Sequence, residues 1–394
     1  MFIKELNIKG FRSLKDLTFK PGKLNVLIGP NGSGKSNLMR FLELISASTQ
    51  KRLDKFILSN GGMESILWDG SSENVFWRLH FSSRPLASDR NININYTYEV
   101  DLARKGKTSN FEVRREVLSD ADQNKIIVSK SNESYKYSDD IKTADDPYGR
   151  FLDEGIPTNE TFLGYFIYAG YVSKLLHYIQ NDLSNILIYH DIDFGKNSMI
   201  RQSTVARHEK IVEPNGQNLV AVLHTLYTED KEFRTSLDRA MRAAFGDEYE
   251  ELTFPPAADQ RIQMRLRWRS LSKAQSAADL SDGTLRFLFL LTLLLNPQAP
   301  SVLVIDEPEN GLHPSMLPII AELANELSET SQIIFTTHSP QFLDAFEDEA
   351  PTTTVVSCSK GETILKTLEG SKLKAWLGEY SLGSLYKSGE LEAM

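Results

Sequence analysis

A chain of 394 residues with 41% hydrophobic and 25% charged side chains is long enough for two or three domain-sized cores and too apolar for disorder on a large scale. A formal net charge of -9 argues against a surface given over entirely to nucleic acid, so only local basic clusters could speak for it. The single cysteine, Cys358, excludes an intrachain disulfide and a thiolate zinc site.

The opening "MFIKELNIKGFRSLKDL" alternates apolar and charged residues and lacks the continuous apolar core of a secretory signal. The longest apolar run, Phe287 to Leu295, is about half the ~20 residues a membrane span needs, so a cytoplasmic protein with no membrane contact is expected. "FIKELNIKGF" and "LTFKPGKLNVLIG" read as strands, the second ending in the buried-type run Leu24 to Ile28. After a glycine segment, Leu38, Phe41, Leu42 and Ile45 recur at the spacing of one helix face. From about 63 to 118, short alternating segments separated by Gly, Asn and Ser clusters predict an antiparallel β lobe. The polar, acidic text from about 119 to 165 predicts exposed loops, and helical periodicity then dominates to about 245. "QMRLRWRSL" reads as a strand before "LSDGT", a buried helix, the strand "SVLVIDEPE", one more helix and the strand "QIIFTTHSP". That β-α-β order belongs to a parallel sheet. No internal repeat, low-complexity tract or heptad pattern interrupts it.

Four motifs carry chemistry. Gly29, Pro30, Asn31, Gly32, Ser33, Gly34, Lys35 and Ser36 match G-x-x-x-x-G-K-S between a strand and a helix. Their backbone N–H groups would wrap a β-phosphate, Lys35 would reach the β- and γ-phosphates, and Ser36 would ligate Mg²⁺. "VLVIDE" ends in Asp306 and Glu307 at a strand's C-terminal edge, where open α/β sheets place ligands. Asp306 would hold the metal's water shell and Glu307 would deprotonate the attacking water, although such a run is also compatible with an ordinary buried strand. His338 ends a strand one β-α-β unit later, beside the expected γ-phosphate; a lone histidine there is often structural. In "LSDGT", Ser281 suits a helix N-cap, with Asp282 in the first turn, and Gly283 permits close backbone approach, making a second anion-binding helix end. Two such ends in one chain cease to be redundant if each LSDGT reaches the ATP held by a second copy.

The set GPNGSGKS, LSDG, VLVIDEPE with "NGLHP", and TTHS, in this order, resembles the ABC-type ATPase heads of the SMC and RecF proteins. It is most similar to the small stand-alone OLD-like, RecF-like ATPases of bacteria. The start "NIKGFRSLKDL", "GGMESILWDG", "NGQNLVAVLHTL" and the tail "WLGEYSLGSLY" add to the likeness. The resemblance implies an α/β P-loop NTPase of ABC-ATPase type, with a parallel core sheet, an antiparallel β lobe and a helical insertion. It also implies a homodimer sandwiching two ATP molecules, with Ser281 and Gly283 acting across the interface. Arg12 would lie near the nucleotide, Asn37 at the end of the glycine loop, and Asn310 and His313 near the dimer axis; alternatively His313 and Pro314 simply start a helix. Gln123, Gln180 and Gln202 are candidates for the Q-loop glutamine, none with decisive context. The expected division is an N-terminal ATPase lobe with the β subdomain (1–118), a mainly helical insertion (119–275) and a C-terminal ATPase lobe (276–394).

No SMC-length coiled coil separates the motifs, and the sequence after His338 is too short for a nuclease module of ~100 residues. Asp191 and Asp193 in "HDIDFG" have metal-compatible spacing but read as a solvated turn. Arg261, Arg265, Arg267 and Arg269 give one basic strand face that could track phosphates, meet the acidic 139–154 segment or face water. The expected role is a Mg²⁺-dependent ATP hydrolase switching between paired and separate heads. It would serve DNA transactions or phage defence through a separately encoded effector. A slow ATP-gated scaffold for a toxin or nuclease, or more weakly a transporter motor, are the alternatives.

Overall fold

The computed structural model describes residues 1–70, 72–83, 94–106, 110–131, 134–138, 156–166, 173–346, 350–368 and 381–389. The acidic stretch expected to be a loop at 139–154, and 376–380 of the tail, lie outside these. Strands β1 (Phe2–Phe11), β2 (Leu14–Phe19) and β3 (Leu24–Ile28) lead into α1 (Lys35–Ser48), α2 (Leu53–Ser59) and α3 (Met63–Ile66). There follow β4 (Asn74–Ser83), β5 (Ile94–Arg104), β6 (Phe111–Asp120), β7 (Lys125–Ser131), β8 (Ser134–Tyr137), α4 (Phe162–Tyr165), α5 (Lys174–Ser184) and β9 (Ile186–Tyr189). Next come β10 (Thr204–Val205), α6 (Leu219–Glu229), α7 (Lys231–Phe245), β11 (Tyr249–Thr253), β12 (Pro256–Ala257), β13 (Arg261–Ile262), β14 (Arg265–Trp268) and β15 (Gln275–Ser276). The described core ends with α8 (Asp282–Leu294), β16 (Val302–Asp306), α9 (Leu317–Ser328), β17 (Gln332–Thr337), α10 (Pro340–Asp344), β18 (Thr352–Ser359) and β19 (Glu362–Thr367). Two compact units result: Met1–Ile188 with Pro300–Leu303 and Thr352–Thr367, and Tyr189–Ala299 with Val304–Pro351 and Leu368–Met394.

The first unit holds a seven-stranded antiparallel sheet in the order β2-β1-β4-β5-β6-β7-β8. The first two strands of the chain thus join the antiparallel lobe rather than the parallel sheet. β1 and β2 alternate buried and exposed positions, as a half-buried antiparallel sheet requires, and β1 pairs with β4 from Phe2↔Ser82 to Lys9↔Phe76. Of the N-terminal strands, β3 alone is buried along its whole length, and it runs parallel to β18, which pairs antiparallel with β19. The buried face of α1 lies on the sheet through Phe41, whose ring meets Phe11 at 5.0 Å and Trp77 at 5.8 Å, both edge-on. Residues 119–165 are not simply loop either. The alternation in "KIIVSKS" builds β7, which continues the sheet from β6, with β8 at its edge.

A buried carboxylate in this unit makes stability pH-dependent. Glu160 is 6% exposed and its Oε2 has no hydrogen-bond partner. Burial, with Asp54 adding repulsion, pushes its pKa up to about 7. The native state therefore keeps a proton that the unfolded chain has already lost, and stability falls as pH rises from the ordinary carboxylate range through about 7. Glu160→Gln is expected to abolish that slope and to stabilise the protein by about 1–2 kcal/mol at pH 8, with little change at pH 4.5. Denaturant midpoints at the two pH values check it, and an equal shift at both would contradict it.

In the second unit, α7 buries Phe233, Leu237, Ala240 and Met241 along one face. Two small antiparallel sheets, β10-β13-β12 and β11-β14-β15, accompany the helices, so the stretch expected to be mainly helical carries many short strands as well. The arginines of the basic strand are partly engaged. Arg267 Nε sits 3.3 Å from Glu251, Arg265 donates to Gln263 Oε1, and Arg261 to the Ser203 carbonyl. α8 is buried on almost every side, which explains its continuous apolar run. β16 and β17 are neighbours, and α9 connects them as the β-α-β reading requires. Cys358 is exposed and unpaired. Among the described residues no helix is long and apolar enough to cross a membrane.

Candidate active site

The first unit supplies the glycine loop. β3 ends at Ile28, and the chain turns through Gly29 (φ 149), Gly32 (φ 77) and Gly34 (φ 109), a backbone that side chains other than hydrogen strain. Space is also closed at two of them. A Cβ on Gly29 would stand 2.0 Å from the Val356 carbonyl oxygen, and one on Gly34 would stand 1.9 Å from Thr363 Oγ1. Gly34 is the N-cap of α1 and offers no side-chain acceptor to the first turn of the helix. Lys35, 7% exposed, donates to the Gly29 carbonyl at 2.6 Å and the Pro30 carbonyl at 3.2 Å. Pro30, Asn31 and Ser36 are exposed, whereas Ser33 is buried and its carbonyl accepts from Thr363 Oγ1 at 3.1 Å. Asn37 does not face the loop's mouth but donates to Ser13 Oγ at 2.7 Å, which in turn bonds Thr363 Oγ1. Arg12 occupies a left-handed turn (φ 46) between β1 and β2 and donates to Asn60 Oδ1 at 2.9 Å. Burial and neighbouring Arg40 lower its pKa.

The second unit supplies the carboxylates. Asp306 ends β16 and accepts a hydrogen bond from Thr336 Oγ1; burial raises its pKa, that bond opposes the rise, and Glu307 adds to it. Glu307 has φ 45, an uncommon conformation for a side-chain-bearing residue, held by its N–H to the Thr336 carbonyl at 3.1 Å. Its Oε2 accepts from Asn310 Nδ2 at 2.5 Å, and its Oε1 lies 3.6 Å from His338 Nε2. His338 is fixed in turn through Glu309, whose Oε1 accepts from Thr337 Oγ1 and, at 3.4 Å, from the His338 N–H. Burial raises the Glu309 pKa. A cavity of about 360 Å³ opens beside Asp306 and Glu307, walled also by His190, Asp191, Arg286 and Asn310. Asn310 and His338 thus both lie against the Glu307 carboxylate.

The LSDGT helix end, the expected signature, lies in the same unit. Ser281 N-caps α8, its Oγ accepting from Thr284 N at 3.1 Å, and both Ser281 and Asp282 are exposed. The Asp282 carboxylate is turned onto the Arg201 guanidinium. A Cβ on Gly283 would stand 2.4 Å from the Gly311 carbonyl oxygen, so the signature glycine packs directly on the loop that carries Asn310 and His313. His313 is exposed and accepts from Ser315 N as N-cap of a short turn, the plainer of the two roles expected for it.

Of the glutamine candidates, Gln180 is spent on the Thr49 carbonyl, Gln202 on the Asn197 carbonyl, and Gln123 sits exposed after β6. Asp193 folds into a turn, accepting from Gly195 N, as the solvated-turn reading expected, while Asp191 lines the cavity. Sequence reasoning missed Thr336, Glu309, Arg286, His190 and Arg201. Glu309 carried a signal, since it falls in the same "DEPEN" run. Among the described residues no group of three or more His, Cys, Asp or Glu is arranged to hold a metal.

The α/β fold, the glycine cradle and the carboxylate group define an ATPase head of the kind shared by SMC, RecF and OLD-like proteins. The chain belongs to the AAA domain family whose model matches residues 5–240. A second family, described as "AAA domain, putative AbiEii toxin, Type IV TA system", matches residues 182–344. The chain is 22% identical to the OLD nuclease of Thermus scotoductus over 88% of its own length and 61% of that protein's, so it spans about three fifths of that relative. It is 20% identical to the ATP/GTP phosphatase of Helicobacter pylori, covering 88% of this chain and 87% of that one. A solved Smc head bound to the C-winged helix domain of ScpA superposes with a TM-score of 0.58 at 15% identity, covering 95% of this chain and all of the other, which shows the shared fold.

Proposed function

We propose that the protein is a Mg²⁺-dependent ATP hydrolase that works as a pair of heads, each glycine loop meeting the signature helix end of the other chain. The observation that carries this reading is the signature itself. Ser281 is exposed at the N-terminus of a 13-residue helix, and its loop packs through Gly283 on the Asn310-bearing loop. An anion-binding helix end and the loop beside the catalytic carboxylate then form one exposed surface suited to a second molecule.

By residue type, Ser36 and Asp306 would each suit Mg²⁺. Ser36 offers an exposed hydroxyl and Asp306 a carboxylate, hard oxygen donors of the kind the ion takes alongside phosphate oxygens and water. When bound, the ion neutralises charge on the β- and γ-oxygens. Glu307 takes the proton of a water held between its carboxylate and His338 while the water oxygen bonds to the γ-phosphorus. The bond to the β,γ-bridging oxygen breaks, releasing ADP and phosphate. Lys35, the first-turn N–H groups of α1 and the partner chain's signature serine stabilise the charge on the transferring group.

The protein's role would lie in DNA transactions, which the likeness to an OLD nuclease supports, or in phage defence, in either case through a separate effector. The arginine strand adds little, because three of its four guanidinium groups already have partners.

The test is complementation. Ser281→Arg protein and Lys35→Ala protein are each expected to lose about 10²-fold or more in turnover, and their mixture to regain a substantial fraction. Heterodimers that form but stay inactive would discard the cross-chain site.

A further inference from the structure

We infer that Arg201 is a positioning residue that sets the signature helix end and ties it to the wall of the carboxylate cavity. Arg201 is 6% exposed, and its guanidinium bonds two stretches of chain far apart in sequence. On one side, Nε donates to the carbonyls of Phe194 at 2.9 Å and Gly195 at 3.2 Å. On the other, Nη1 donates to the carbonyls of Ala277 at 3.1 Å, Ala278 at 3.2 Å and Leu280 at 2.6 Å, while Nη2 holds the Asp282 carboxylate. The residues immediately before the signature and its first helical residue are therefore pinned by one planar fork, which a flexible ammonium cannot reproduce.

The other end of the fork reaches the cavity. Phe194 lines it together with His190 and Asp191, and Arg286 of α8 lies 4.9 Å above the Phe194 ring while lining the same cavity as Asp306 and Glu307. The turn from Asp193 to Arg201 is itself held, since Asp193 accepts from Gly195 N and from Ser198 Oγ, and Ser198 Oγ accepts from Ile200 N. A displacement at the cavity wall is thus carried to the carbonyls in front of Ser281 through Arg201, and to α8 through Phe194 and Arg286. Arg201 also answers an electrostatic difficulty. Asp282 places a negative charge in the first turn of the helix end that is to receive a phosphate, and the ion pair neutralises it. The guanidinium is buried among protein acceptors, so it acts through the signature and not on the substrate.

This inference rests on the cross-chain reading, and the same complementation assay separates the two. Arg201→Met and Arg201→Lys proteins are expected to bind ATP within about 3-fold of the parent, because the glycine loop is untouched, yet to lose roughly 30- to 100-fold in turnover and in ATP-driven pairing. Mixed with Lys35→Ala protein, either variant should regain activity; mixed with Ser281→Arg protein, neither should. Rescue by both partners, or by neither while Ser281→Arg and Lys35→Ala still complement each other, overturns the role of Arg201 and leaves the cross-chain site standing. Failure of Ser281→Arg to complement Lys35→Ala sinks the cross-chain reading instead. Should the Arg201 variants not fold, exposed Asp282→Asn carries the test: about 3- to 10-fold weaker pairing with unchanged ATP binding, rescued by Lys35→Ala protein, is expected. Pairing equal to the parent's would refute the proposal.

Discussion

Replacing Glu307 with glutamine is expected to lower kcat by about 10²- to 10³-fold while leaving ATP binding and ATP-driven pairing intact or strengthened. The amide has the shape of the carboxylate and can still accept from Asn310 through its oxygen, so the local hydrogen bonding survives. It cannot take a proton from water. The backbone conformation at this position, φ 45, is imposed by the bond from its N–H to Thr336 and not by the side chain, so the substitution does not release it. Single-turnover measurement of phosphate release, with nucleotide binding followed separately, decides the matter. A variant hydrolysing at the parental rate would remove Glu307 from the chemistry.

The second large effect is expected from Gly34→Ala. A methyl group there meets Thr363 Oγ1 at 1.9 Å, Cγ2 at 2.8 Å and Cβ at 2.9 Å, and the backbone stands at φ 109. Both penalties fall on the helix end that is to hold phosphate, so a loss of about 2–4 kcal/mol in stability and at least about tenfold in ATP affinity is expected. Gly32→Ala is the control. Its φ of 77 is also left-handed but nothing lies within 4 Å of the added carbon, and it should cost only about 1–2 kcal/mol. Thr363→Ala in the Gly34→Ala background removes the two side-chain atoms beyond Cβ but not the backbone strain, and rescue should be partial. Chemical denaturation and nucleotide titration of the four proteins read this out, and equal costs at the two glycines would show that the Thr363 contact is unimportant.

Contiguous features were legible in the sequence. The glycine loop between β3 and α1, the start of α8 at Ser281 and the paired carboxylates at the end of β16 follow from local periodicity and motif spacing. Features made by distant pairing were not. Nothing in "FIKELNIKGF" says that it will join β4 in an antiparallel sheet rather than sit beside β3, because half-buried alternation fits several partners. β7 was legible in principle but lay in polar text. Arg201 left no signal at all, since it acts mainly on main-chain carbonyls, which carry no sequence signature. Arg286 was masked by the apolar run around it, although it is the polar residue of that helix that faces the cavity.

The glycine loop is roofed by strands that enter the chain very late: Val356 closes over Gly29, and Thr363 closes over Gly34 while bonding Ser33 and Ser13. During synthesis, then, the glycine loop leaves the ribosome well before the strands that complete its native shape. A nascent polypeptide cannot capture nucleotide in the finished geometry until residue 363 has emerged, which delays ligand-assisted folding until β18 and β19 have been made.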